Sequence, residues 1–150
     1  MALEPLYEGM IASKNVDVNE FQDSTANLVA GRIVCLTSKS ITNTAANTVY
    51  VGMRGNTLDN STLIDMPFGL LADYREDIIA SGKVSVYFTP GKYRTDQTSG
   101  VIAKGDLLTY DGYGAIMKAT SGMCLVGTCT EAAGSDGMIE MALNITGAIA

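Results

Sequence analysis

Short runs of strand-forming residues, closed by glycine, proline or Asp-Gly turns, recur along most of this chain. That rhythm restricts it to a mainly β fold. The runs fall at residues 32–36, 68–72, 83–89, 106–110, 115–118, 124–130 and 138–144. Within 83–89, Val84, Val86 and Phe88 alternate with Ser85, Tyr87 and Thr89, the two-residue period of a strand with one buried face. Pro90-Gly91 ends that run, and Asp111-Gly112 lies between two others as a hairpin signal. Sixteen glycines against three prolines give the chain many positions that reach positive φ without steric cost. The exception is 73–80, where Tyr74, Ile78 and Ile79 share a helical face and Gly82 supplies the stop.

Two segments depart from the rhythm. Residues 1–27 are polar and acidic with scattered apolar side chains, and read as an extended arm. Residues 37–63 are rich in Thr, Asn and Ser and read as a long polar loop, with a strand candidate at 48–53. The expected organisation is therefore an N-terminal arm, 1–27, followed by one β-rich domain, 28–150. A chain of 150 residues that is 47% hydrophobic can bury a full core without metal or disulfide staples.

A faint internal echo runs through the domain. Leu28-Val29-Ala30-Gly31-Arg32-Ile33-Val34 resembles Ile102-Ala103-Lys104-Gly105-Asp106-Leu107-Leu108. Phe68-Gly69-Leu70-Leu71 then resembles Val126-Gly127-Thr128-Cys129, and the run at 84–88 matches 138–143 in order. Each half would supply three strands in one sequence, the first half carrying an insertion at the polar excursion. A glycine before a strand also recurs by chance in any turn-rich β protein, and the sequence leaves both readings open.

The chemistry-bearing residues exclude more than they assign. Net charge is −6, and five of the sixteen acids but one of the ten bases lie in residues 1–25. An acidic chain without a basic stripe is not expected to bind nucleic acid, which demands clustered Lys and Arg. The chain has no His, so it lacks the commonest general base and metal ligand. Cys35, Cys124 and Cys129 form an odd set in apolar surroundings. A structural zinc site wants four ligands, so ordinary buried thiols in a reducing compartment are expected. Asp73, Glu76 and Asp77 with Arg75 read as a solvated helix end or an ion-pair patch. Neither a phosphate loop nor a nucleophile elbow is present. No signal peptide, membrane span, cofactor or enzymatic activity is expected.

The most informative stretch is 101–143, VIAKGDLLTYDGYGAIMKATSGMCLVGTCTEAAGSDGMIEMAL. Gly105-Asp106 precedes a strand; a hairpin with Gly112 and Gly114 follows. A Val-Gly strand at Gly127 ends in small residues near Ala132, and Gly137 precedes a closing strand. This phrase resembles the small β-domain of tailed-bacteriophage capsid decoration, or cement, proteins. The resemblance covers about 40 residues well and is a rhythm of glycines and strands. It implies a small β-barrel or β-sandwich and a virion structural protein on the outer capsid surface, assembled in the host cytoplasm. Its partners would be the major capsid protein and itself, as a homo-oligomer with a trimer favoured. The longer arm and the polar loop depart from the small family members and put docking site and oligomeric state in question. Rival readings are a tail-tube or other virion subunit, with residues 37–63 gripping the next ring, and a non-catalytic bacterial binding module.

On the decoration reading, the arm residues Leu3, Leu6, Tyr7, Met10 and Ile11 are candidate capsid anchors. A strand or helix packed on the chain's own domain is the competing reading. Tyr110 and Tyr113, which bracket the hairpin turn, are candidate subunit-interface residues. Lys83, Lys92 and Arg94 flank the 84–89 run and are expected to protect a sheet edge.

Overall fold

The computed structural model describes residues 3–15, 28–37, 49–51, 65–73, 75–148 and 150. Most of the polar excursion, both ends of the 48–53 strand candidate, Tyr74 and arm residues 16–27 lie outside the described residues. The described elements are β1 (Leu3–Tyr7), β2 (Ile11–Asn15), β3 (Ile33–Thr37), β4 (Tyr50–Val51), β5 (Asp65–Leu71), α1 (Arg75–Ser81), β6 (Lys83–Tyr87), β7 (Gly91–Thr95), β8 (Leu107–Tyr110), β9 (Ile116–Lys118), β10 (Gly127–Glu131) and β11 (Ile139–Leu143). They build two antiparallel sheets, six-stranded in the order β1-β7-β11-β10-β8-β9 and five-stranded in the order β2-β6-β5-β3-β4. The fold is mainly β and sandwich-like.

The main core lies between the sheets. Ile33, Cys35, Leu70 and Tyr87 of the five-stranded sheet meet Leu3, Tyr93, Leu108, Tyr110, Cys129 and Met141 of the other. A second cluster covers the opposite face of the five-stranded sheet. There Val34, Leu71, Val84 and Val86 pack with Leu28, Val49 and Ile78 of α1. Gly82 closes α1 at φ +68, its N–H donating to the Ile78 carbonyl at 2.8 Å, the glycine stop expected from sequence. Burial on both faces explains why β6 departs from simple alternation: Tyr87 is buried like Val84 and Val86, but in the other core.

The arm is not separate from the domain. β1 pairs with β7, Leu3 opposite Thr95 and Glu4 opposite Arg94. β2 pairs with β6, Ile11 opposite Tyr87 through Asn15 opposite Lys83. The backbone is extended, as expected, but it is spent on completing an edge of each sheet. β7, which sequence reading left unassigned after the Pro90-Gly91 break, is held between β1 and β11.

The internal echo reappears as shared topology. β9-β8-β10-β11-β7 in one sheet and β4-β3-β5-β6-β2 in the other have the same order and the same sequence of connections. The register agrees residue for residue. Val34 faces Gly69 and Ile33 faces Leu70, as Leu108 faces Gly127 and Leu107 faces Thr128. Leu71 faces Val86, as Cys129 faces Met141. Three lead-in hydrogen bonds recur: Gly31 N–H to Leu71 O and Gly105 N–H to Cys129 O, both 2.8 Å; Arg32 N–H to Val29 O and Asp106 N–H to Ala103 O, 3.2 and 3.1 Å; Leu71 N–H to Arg32 O and Cys129 N–H to Asp106 O, 2.8 and 2.9 Å. Gly31 and Gly105 hold φ of 98° and 91°, a region that a Cβ disfavours. A Cβ on Gly69 would strike the Tyr87 carbonyl, and one on Gly127 the equivalent Ala142 carbonyl. The described strands, β1 apart, thus form two five-stranded units of the same topology and register.

Candidate functional site

The most conspicuous surface feature lies where the N-terminal segment crosses from one sheet to the other. Residues Glu8, Gly9 and Met10 follow the Phe88-Thr89-Pro90 connection around the corner. The crossing is fixed by hydrogen bonds. Phe88 N–H donates to Met10 O at 3.1 Å, Met10 N–H to Thr89 Oγ1 at 2.5 Å, and Gly9 N–H to the Tyr93 hydroxyl at 2.9 Å. The Tyr87 hydroxyl donates to Glu8 Oε1 at 3.1 Å, and the Tyr87 and Tyr93 rings lie 4.8 Å apart. Burial, and then the bond to Glu8, pushes the Tyr87 phenol up to about 12. Burial raises Tyr93 as well, against the opposing effect of the Gly9 amide.

This rigid corner leaves apolar side chains in water. Leu6, Tyr7, Met10 and Ile11 are 45%, 72%, 66% and 53% exposed. The pairing of β1 with β7 slips between Pro5 and Tyr7, and Leu6 occupies the slip. Four large exposed hydrophobics within six residues are not the scattered apolar residues of an ordinary surface.

Two of the expected contact residues are elsewhere. Leu3 faces the main core, because in β1 the outward position belongs to Glu4, paired with Arg94. Tyr110 is fully buried, sharing the inward face of β8 with Leu108. Neither can serve as a surface anchor. Tyr113 is exposed, at the tip of a hairpin whose Asp111 carboxylate accepts the N–H groups of Tyr113 and Ala115 at 2.9 and 3.0 Å.

Beside Tyr7 lies a hollow of about 320 Å³, open to solvent and lined also by Pro90, Gly91, Lys92, Ala142, Leu143 and Asn144. Sequence reading did not find it. Its only signal is the small Ala142 at an outward position of a strand that otherwise offers Glu140 there. Around the hollow, β7 and β11 carry ion pairs on the outer face of the six-stranded sheet. Arg94 bridges Glu4 and Asp136, Lys92 pairs with Glu140 at 3.8 Å, and Thr130 donates to Glu140 at 2.7 Å. Lys92 and Arg94 thus stand on an outer face rather than on an edge strand, while Lys83 is in β6, between β2 and β5.

The three cysteines are buried and form no disulfide; burial raises the Cys124 and Cys129 thiols. Asp73 accepts the Ser85 N–H at 2.6 Å, a structural tie between the start of the α1 segment and β6. Among the described residues no group of three His, Cys, Asp or Glu side chains is arranged to hold a metal, and no helix is long and apolar enough to cross a membrane. No protein-family model matches the chain, and no curated protein matches it in sequence.

Proposed function

We propose that this protein is a virion structural protein that binds the outer surface of a tailed-phage capsid and stabilises it by bridging capsomers, acting as a homotrimer on the major capsid protein. The exposed apolar corner of Leu6, Tyr7, Met10 and Ile11, held rigid by the Tyr93 and Thr89 hydrogen bonds, is the observation that carries this reading. A corner whose backbone is already hydrogen-bonded leaves less to order on binding. Burying what remains exposed of four such side chains contributes on the order of 1 kcal/mol each. A contact of that size suffices when repeated on a lattice, since a cement that binds only the assembled shell stabilises it by linkage. The Gly-Asp and Asp-Gly phrases at Gly105-Asp106 and Asp111-Gly112, on which the resemblance to decoration proteins rests, build β8 and its hairpin.

The test is co-sedimentation with expanded capsids built from the major capsid protein of the same phage. The informative variant replaces Leu6, Tyr7, Met10 and Ile11 by Ser. Deleting the whole arm is uninformative, because it strips both sheets of a strand and Leu3 from the core. Wild type should sediment with the shell, and the Ser variant should melt normally yet stay in the supernatant. Stacked rings or tubes in negative stain, with no capsid binding, would replace this reading by the tail-tube one.

A further inference from the structure

The two repeats differ at one equivalent place, and the difference describes a ligand. Tyr87 in β6 and Ala142 in β11 occupy the same position of the repeat: Leu70 faces Tyr87 as Thr128 faces Ala142. In the first repeat that position carries a phenol ring, buried in the main core and covered by the Tyr93 ring at 4.8 Å. In the second repeat it carries only the methyl group of Ala142, which lines the 320 Å³ hollow beside Tyr7. Gly91 adds no side chain to that hollow.

We infer that this hollow is a receptor for an aromatic side chain, Tyr or Phe, carried on an extended segment of the shell protein. The inference rests on the decoration reading for the identity of the partner, and on the internal repeat for the chemistry of the ligand. The fold itself shows that a ring at this position of the unit packs against a neighbouring aromatic residue; the second repeat offers Tyr7 as that neighbour. Lys92, half-exposed and paired with Glu140, lines the same hollow. A cation beside the site favours a π-face over an aliphatic side chain of similar area. A volume of 320 Å³ lies at the small end for binding pockets and suits a side chain rather than a cofactor. Tyr7 also belongs to the exposed apolar corner, so a segment crossing that corner reaches the hollow without a gap.

The experiment uses the full chain, labelled with ¹⁵N, titrated with N-acetyl-L-tyrosinamide and separately with N-acetyl-L-leucinamide. The tyrosine amide should shift the amides of Tyr7, Lys92, Ala142, Leu143 and Asn144 and bind about two- to fivefold more tightly than the leucine amide. Ala142→Tyr, which installs the sister repeat's residue, should leave the rest of the spectrum intact and abolish the shifts. Lys92→Met should keep the hollow and lose the preference for the ring. Absence of shifts, or equal shifts with Ala142→Tyr, overturns the receptor. Ala142→Tyr is then assayed for capsid co-sedimentation. Weakened binding places the shell's aromatic residue in the hollow. Undiminished binding overturns that placement while leaving the decoration reading intact. If the tyrosine amide instead splits an oligomer of the protein into smaller species, the occupant is a second copy and the assignment to the shell fails.

Discussion

Gly69→Ala and Gly127→Ala test the repeat at its tightest point. Each glycine lies in a strand, β5 or β10, where the next strand passes so closely that an added Cβ would collide with a backbone carbonyl: Tyr87 for Gly69 and Ala142 for Gly127. The obstacle is main chain in both cases, so it cannot swing aside like the end of a side chain. Overpacking of this kind costs about 1–3 kcal/mol, and an immovable neighbour puts both variants toward the upper end. For a domain of this size that lowers Tm by about 5–10 °C. The ranking is also fixed. All three near neighbours of the Gly127 Cβ are backbone, whereas one of those of Gly69 is Val86 Cγ1, which can yield. Gly127→Ala should therefore cost at least as much as Gly69→Ala. Gly112→Ala is the control, since a Cβ there meets nothing within 4 Å and should change stability by no more than about 0.5 kcal/mol. Urea unfolding of the three variants gives the numbers. Either strand variant within about 0.5 kcal/mol of wild type would refute the close approach and, with it, the equivalence of the two positions.

Two further outcomes follow from the buried polar groups. Folding raises the Tyr87 phenol from its ordinary value near 10 to about 12, so its neutral form is favoured in the folded state. The associated stability is fully present below pH 10 and is lost as pH climbs from 10 toward 12. The urea midpoint of wild type should fall over that window, and Tyr87→Phe should fall less; an equal fall would assign the effect to other groups. Buried Cys35, Cys124 and Cys129, the last two with raised thiols, should not react with a thiol-specific disulfide reagent in the native protein at pH 8. All three should react once it is unfolded, and rapid native labelling would contradict their burial.

How much of this was legible in the sequence follows from how local each cause is. The stretch from β8 to β11 was readable because its turns are chemical. Asp111 accepts two backbone N–H groups within its own hairpin, and Gly105 holds a positive φ that few other residues tolerate. The helix was readable because Gly82 ends it. β7 was not read as a strand, and for the arm that forms β1 and β2 a packed strand was only the competing reading. LEPLY, IASKN and GKYRT carry little β-propensity, and they are strands because each is paired across a sheet, a cause outside the segment. The same reason misplaced two contact residues. Whether Leu3 or Glu4 points inward depends on which face of β7 is buried, and Tyr110 is inward because it shares a face with Leu108. The hollow was invisible because it is an absence, a methyl group where the sister repeat has a ring.

The two repeats also explain where a binding surface can lie. Equivalent residues do not face each other across the core. Val34, Leu71 and Val86 cover the α1 side of the five-stranded sheet, while their counterparts Leu108, Cys129 and Met141 lie between the sheets. The units are therefore stacked front to back, and a front-to-back stack leaves two unlike ends. One end is closed by Leu28, Val49 and Ile78. The other is the outer face of the six-stranded sheet, where Thr128 stands for Leu70, Ala142 for Tyr87 and an exposed Leu107 for Ile33, and where Arg94 and Glu140 are joined in ion pairs with their neighbours. The densest run of exposed apolar side chains among the described residues is the rim where β1 turns into β2, with the hollow beside it and Leu107 further along the same sheet. A partner seated on that corner would gain buried apolar surface there and would meet ion-paired charges on the adjoining strands β7 and β11.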